Sequence, residues 1–159
     1  MNIEHSIFVQ NPLNEVFNQV SNLQNEKEIM AFTHVFYQNS KTKIGTKYTK
    51  VLNILGNNWK NKLEVTSFIK NQEIKAKTVN GSLPMEESLK LYEEKGGIRV
   101  QWKIQIKPQG ASKLLSPVIK KNINNQIKGR INELKEHLDF SFMKQTTLAY
   151  ASQNDRFWL

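Results

Sequence analysis

The chain contains no cysteine. That removes disulfides, thiol nucleophiles and cysteine-ligated metals together. Arginine is scarce as well, with only Arg99, Arg130 and Arg156 against a large excess of lysine. Bidentate recognition of phosphate or guanine favours the guanidinium fork, so nucleic acid is not an expected partner. No apolar run approaches the roughly 18 residues that a membrane span needs. The start, Met1-Asn2-Ile3-Glu4-His5, has neither a basic n-region nor a long apolar stretch. A secretory signal is therefore not expected, and the cytoplasm is the expected location. There is no Gly-rich phosphate loop, nucleophile elbow or metalloprotease helix. Gly96-Gly97 reads as a hairpin turn, not a dinucleotide fingerprint. His5, His34 and His137 show no metal-ligand spacing, so neither a metal nor another cofactor is expected.

What remains is an ordinary globular composition. The 159 residues are 38% apolar and 23% charged, enough for one domain with a core of its own. The net charge is +9 and the sequence pI about 9.7. Such a balance suits nucleic acid, an anionic membrane surface or acidic ligands. A plain lysine-rich surface explains it with fewer assumptions.

Periodicity divides the chain. Residues 3–9 alternate as a strand, with Ile3, His5, Ile7 and Val9 on one face. His5 therefore points inward, as a hydrogen-bonded core histidine or, in the sharper reading, as a general acid or base. Asn11 is a candidate N-cap with Pro12 at the first helical position. Leu13, Val16, Phe17 and Val20 then mark a short helix to about Ser21. A second short helix is expected near 22–30.

Strand follows strand from 31 to 107: 31–37, 46–55, 59–69, 73–79, 84–93 and 98–107. The dipeptide Asn80-Gly81 reads as a hairpin turn, because both residues tolerate positive φ. The last strand is the clearest. Ile98, Val100, Trp102, Ile104 and Ile106 alternate with Arg99, Gln101, Lys103, Gln105 and Lys107, one face for a core and one for water. Leu115, Ile119, Ile123, Ile127, Ile131, Leu134 and Leu138 then recur in steps of four and three. They predict a helix over about 112–140, roughly 40 Å long, either kinked at Pro117 or starting there behind Ser116. Gly129 falls inside it, by simple tolerance or because a backbone approaches closely. The tail 141–159 loses the pattern yet carries Tyr150, Phe157, Trp158 and Leu159. It is expected to be docked or disordered, outside a domain at 1–140.

The order strand, one or two short helices, consecutive antiparallel strands and long C-terminal helix is an α+β meander. On His5-Ser6-Ile7-Phe8-Val9, Asn11 to Phe17, Gly45-Thr46-Lys47-Tyr48, Leu63-Glu64-Val65-Thr66, Gly96 to Trp102 and Leu134 to Leu138, the chain resembles the START-like or SRPBCC superfamily. Within it, the resemblance is to the bacterial polyketide cyclase/dehydrase and lipid-transport family. The resemblance implies a helix-grip fold, a curved antiparallel sheet of about seven strands wrapped on the long helix. It also implies a cavity between the two, binding lipids, polyketides or other apolar molecules. Some members catalyse ring closure or dehydration, and others act as carriers, sensors or chaperone cofactors.

The inward-phased candidates for contacting a ligand are Tyr48, Trp59, Leu63, Val65, Met85, Leu89, Val100 and Trp102 on strands, with Leu115, Ile119 and Ile123 on the helix. Tyr48, Trp59 and Trp102 pair an apolar ring with a hydrogen-bonding atom. A packed core would draw on the same residues. In the pairs Glu86-Glu87 and Glu93-Glu94, neighbours point to opposite faces, so neither is a catalytic dyad. Glu87 alone shares the phase of Met85 and Leu89. Desolvated there, it would have a raised pKa and serve as an acid; a carboxylate at the rim is the plainer expectation.

Three functions follow. The first is binding of a hydrophobic small molecule or lipid in the cavity, by a carrier, sensor or sequestering protein. The second is an enzyme of the aromatase/cyclase or dehydratase kind, for which no catalytic residue is assigned. The third is a basic surface module for anionic lipid or nucleic acid. A monomer or a homodimer, with peripheral contact to an anionic membrane, is compatible with each.

Overall fold

The computed structural model describes residues 1–21 and 42–154. The helix expected at 22–30, the strand at 31–37, His34 and the terminal Phe157-Trp158-Leu159 lie outside the described residues.

Six antiparallel strands form one sheet in the order β1-β6-β5-β4-β3-β2. They are β1 (Asn2–Val9), β2 (Lys47–Ile54), β3 (Asn57–Ile69), β4 (Glu73–Gly81), β5 (Met85–Glu94) and β6 (Gly97–Ile106). Seven were expected; six are present among the described residues. The fold is α+β with a curled sheet and a long C-terminal helix, as the meander implied. The strand β6 lies second from one side of the sheet, with Trp102 buried and Lys103 exposed. That fixes the register, since a slip of one residue would exchange the two faces.

Helix α1 (Leu13–Ser21) buries Val16 and Phe17, and the Phe17 ring meets Phe68 edge-on at 5.4 Å. Asn11 does not cap it. The Pro12 carbonyl accepts from the Glu15 and Val16 amides, while Asn11 Nδ2 donates to the Leu138 carbonyl at 3.0 Å. Asn11 thus ties the first turn of the chain to the far helix.

The hairpin expected at Asn80-Gly81 is not there. These residues stay in β4, paired with Lys62 and Asn61, and the chain turns afterwards, at Ser82-Leu83. Close approach explains the glycine: a Cβ on Gly81 would lie 2.2 Å from Asn61 Oδ1. Strand pairing overrode the local turn signal.

After a 3-10 turn at Gly110–Lys113, helix α2 (Ser116–Asn154) runs for 39 residues. It begins at Ser116, with Pro117 in the first turn where a missing N–H is harmless. Ile119, Ile123, Ile127, Ile131, Leu134 and Leu138 are buried as spaced. Leu115 is not among them. It precedes the helix and is 41% exposed, because the turn before Ser116 breaks the phase. A Cβ added at Gly129 would meet nothing within 4 Å, so simple tolerance accounts for this glycine. The helix does not end near Phe140 but continues to Asn154, with Phe140, Met143, Leu148 and Tyr150 exposed.

Candidate functional site

The concave face of the sheet is built from alternate residues of each strand. Tyr48, Leu52 and Ile54 come from β2, Leu63 and Val65 from β3, Ile74 and Ala76 from β4. Met85 and Leu91 come from β5, and Val100, Trp102 and Ile104 from β6. Helix α2 lies nearest β1 at one side of this sheet and next to β2 at the other. Ile119, Ile123 and Ile127 face the same interior.

Among the described residues, this apolar surface holds a polar island. Lys50 is 1% exposed, and its Nζ lies 2.5 Å from Glu87 Oε2, on a carboxylate only 10% exposed. The Tyr48 hydroxyl donates to the other oxygen, Glu87 Oε1. The Lys50 ammonium also lies over the Trp102 ring, 5.0 Å from its centroid, a cation–π contact strengthened by the absence of water. Asn61, fully buried, is the register partner of Lys50 on β3. Its Oδ1 accepts from the Leu83 amide at 3.0 Å, and its Nδ2 has no partner among the described residues.

The island exists because the sheet curls. Lys50 is on β2 and Glu87 on β5, with β3 and β4 between them. In a flat sheet those strands would be about 14 Å apart. Two irregularities in the β3–β4 register, at Lys62/Leu63 and Val65/Ser67, help bend it, since an extra residue sharpens twist and curvature.

Burial pushes the Glu87 carboxyl up. Only together do the charge of Lys50 and hydrogen bonds from Lys50, Tyr48 and the Trp102 indole outweigh this and hold it below the usual carboxylate range. Glu87 does face inward, in phase with Met85, so it is not a rim carboxylate. It is also not the raised, protonated acid that desolvation alone would make.

Of the residues expected to contact a ligand, Tyr48, Leu63, Val65, Met85, Val100, Trp102, Ile119 and Ile123 are buried in one cluster. Trp59 and Leu89 are half-buried against it, and Leu115 is outside it. His5 is half-buried opposite Trp102, where its Nε2 hydrogen-bonds Asn124 Oδ1 of α2 at 2.9 Å. Lys50 and Asn61 were missed. The signal was present, since Lys50 shares the parity of Tyr48, Leu52 and Ile54. Among the described residues, no three His, Asp or Glu side chains converge as a metal site.

No family model matches the chain, and no curated protein matches it. Solved structures do. A START superfamily protein from Mycobacterium smegmatis aligns over 86% of this chain and 96% of its own, with a TM-score of 0.65 and 12% identity. The chain has the START-like fold. Major latex-like protein 151 of Panax ginseng covers 87% of this chain and 97% of its own, at TM-score 0.66 and 12% identity. The Aha1 dimer from Colwellia psychrerythraea covers 87% and 96%, at 0.61 and 13%. A START-like fold specifies the architecture of sheet and helix and leaves the chemistry to the side chains. No helix among the described residues is long and apolar enough to cross a membrane.

Proposed function

We propose that the protein binds a hydrophobic small molecule or lipid between the concave sheet and α2, as a carrier, sensor or sequestering protein. The observation that carries this reading is the buried island of Tyr48, Lys50 and Glu87 within an otherwise apolar lining. A few fixed polar groups in an apolar surround orient a ligand and select it. Tyr48, Trp59, Leu63, Val65, Met85, Leu89, Val100, Trp102, Ile119 and Ile123 are the proposed contacts, joined by Lys50 and Asn61. Native mass spectrometry of the protein purified from its own host tests the reading. A retained, lipid-sized mass is expected; protein that stays bare there and binds no apolar fluorescent probe would end it.

The enzyme reading gains one specific observation, the convergence of three polar side chains at hydrogen-bonding distance. The state of Glu87 favours binding over catalysis. A carboxylate stabilised by an ammonium and a hydroxyl is a poor base and has no proton to donate. A cyclase or dehydratase would have to release it first.

The basic-surface reading draws little support. Across the convex face the register runs Lys47, Glu64, Lys77, Glu86 on successive strands β2 to β5, so acid and base alternate. The shallow groove there joins Lys75, Lys77 and Lys103 to Glu86 and Gln105. Lysines gathered on one face would be needed for a salt-sensitive anionic partner.

A further inference from the structure

We infer that one end of the molecule docks on an anionic lipid bilayer, with Leu114, Leu115 and Val118 entering the headgroup region among exposed lysines. This goes beyond the cavity reading and holds whatever the interior carries.

The turn between β2 and β3, the connection from β4 to β5 and the link from β6 to α2 lie at the same end of the sheet. Hydrogen bonds join them. The Ser82 amide donates to the Lys60 carbonyl at 3.4 Å and the Lys107 amide to the Pro84 carbonyl at 2.9 Å. Gln126 Nε2 of α2 donates to the Asn53 carbonyl at 2.6 Å. The acid–base alternation of the convex face stops here. From Lys95 to Asn132 the sequence has no Asp or Glu, and neither has the stretch 53–62. In 79–86 the one acid is Glu86, which pairs with Lys107. Lys60, Lys62, Lys113, Lys120 and Lys121 are exposed. Among the described residues, none of these five forms an ion pair.

Apolar side chains stand on this basic end. Leu114 is 87% exposed, and Leu115 and Val118 are 41% exposed. The two leucines sit on a fixed turn. The Gln109 amide donates to Ser112 Oγ at 2.9 Å, and the Ser112 hydroxyl donates back to the Gln109 carbonyl at 2.6 Å. Val118 and Lys121, three apart on α2, share one side of the helix. Apolar tips flanked by lysines suit the boundary of a bilayer, where leucine enters the acyl region and lysine meets anionic headgroups. Nucleic acid would meet the lysines but leave Leu114 against phosphate. A second copy would set one lysine cluster against another, like charge facing like. Leucines on an exposed turn offer no groove to a folded partner, and a fluid bilayer needs none.

Co-sedimentation with vesicles tests this, comparing phosphatidylcholine alone with phosphatidylcholine mixed with phosphatidylserine. The mixed vesicles should bind at least about tenfold more tightly, and added salt should weaken that binding. Lys113→Gln with Lys120→Gln and Lys121→Gln should weaken it about a hundredfold. Leu114→Ser with Leu115→Ser should weaken it about tenfold. Both variants should keep the melting temperature, because the side chains are exposed. The charge-matched control Lys75→Gln with Lys77→Gln and Lys103→Gln, in the convex groove, should lose less than about threefold. Equal binding of the two vesicles, binding to neither, or a control as weak as the patch triple overturns the inference. So does an oligonucleotide held as tightly as the vesicles by both the natural protein and the leucine variant, which would mark a nucleic-acid surface. Loss of a dimer in the leucine variant without vesicle binding would overturn it in favour of a contact between copies. The comparison of the two vesicles uses the natural protein alone, so it decides the matter even where a variant does not fold.

Discussion

Glu86 and Glu87 are consecutive on β5, and each is ion-paired to a lysine. Glu86 reaches Lys107 across 3.3 Å on the convex face, with the two side chains 57% and 62% exposed. Glu87 reaches Lys50 across the interior at 2.5 Å, with almost no water near either. The residue types are the same, and strand alternation alone sends them to opposite sides. Outside, water screens the pair and the entropy of two long side chains offsets most of the attraction. Inside, both charges have lost their hydration, and each offsets part of that loss for the other. A salt bridge on the concave face therefore signals something other than stability. An apolar pair would hold the sheet as well, which is the reason to look for a ligand at this position.

Breaking the buried pair should give the largest effect. Glu87→Gln takes the Glu87 charge away from the buried Lys50 ammonium and should cost about 3–5 kcal/mol in denaturant unfolding. Replacing both, Lys50→Met with Glu87→Met, should recover most of that loss. Recovery of less than half would mean that the pair contributes more than mutual neutralisation.

The apolar wall around the island comes next. Ile119→Ala removes a fully buried side chain of α2 and should cost about 2–5 kcal/mol. An unchanged denaturation midpoint would mean that Ile119 is not packed as described.

Acid sharpens the contrast further. The folded Glu87 carboxyl lies below its ordinary value of 4.5. Its contribution is therefore complete above that value and is lost as pH falls through the folded one. In Lys50→Met the cation is gone and burial, the largest influence, is opposed only by the Tyr48 and Trp102 hydrogen bonds, so the carboxyl should rise and the sign should reverse. Acid would then favour the folded state at this group. Stability measured between about pH 3 and 7 decides it, and parallel curves for the two proteins would contradict the assignment.

Glu86→Gln, on the other face, should change stability by no more than about 0.5 kcal/mol. A larger loss would show that the convex ion pairs act as a network.

Most of the apolar framework was legible in the sequence. Alternation placed Val100, Trp102 and Ile104 inside, and steps of four and three placed Ile119 to Leu138 on one side of a helix. These patterns are strong because burial selects every member of the stripe. Lys50 escaped for the opposite reason. A lone lysine in a strand ordinarily faces water, and Val51 beside it blurs the alternation. Its carboxylate partner Glu87 is 37 residues away, on a strand that only the curl of the sheet brings near. Gly81 was misread because a turn dipeptide is local evidence, and the approach of Asn61 to its Cα is not. Leu115 was misplaced by extending a helical phase one step beyond the residue where the helix begins.

The length of α2 has a consequence for how the molecule behaves in solution. Its 39 residues, at about 1.5 Å each, span roughly 58 Å, whereas a compact globule of this chain length has a radius of gyration near about 15 Å. The buried stripe stops at Leu138, so the turns beyond it project from the domain as a spar. A monomer so shaped should diffuse more slowly and scatter as a longer particle than its 18.5 kDa mass implies. Gel-filtration volume alone would then overstate its size, and an oligomeric state read from that volume would be an error of shape mistaken for mass.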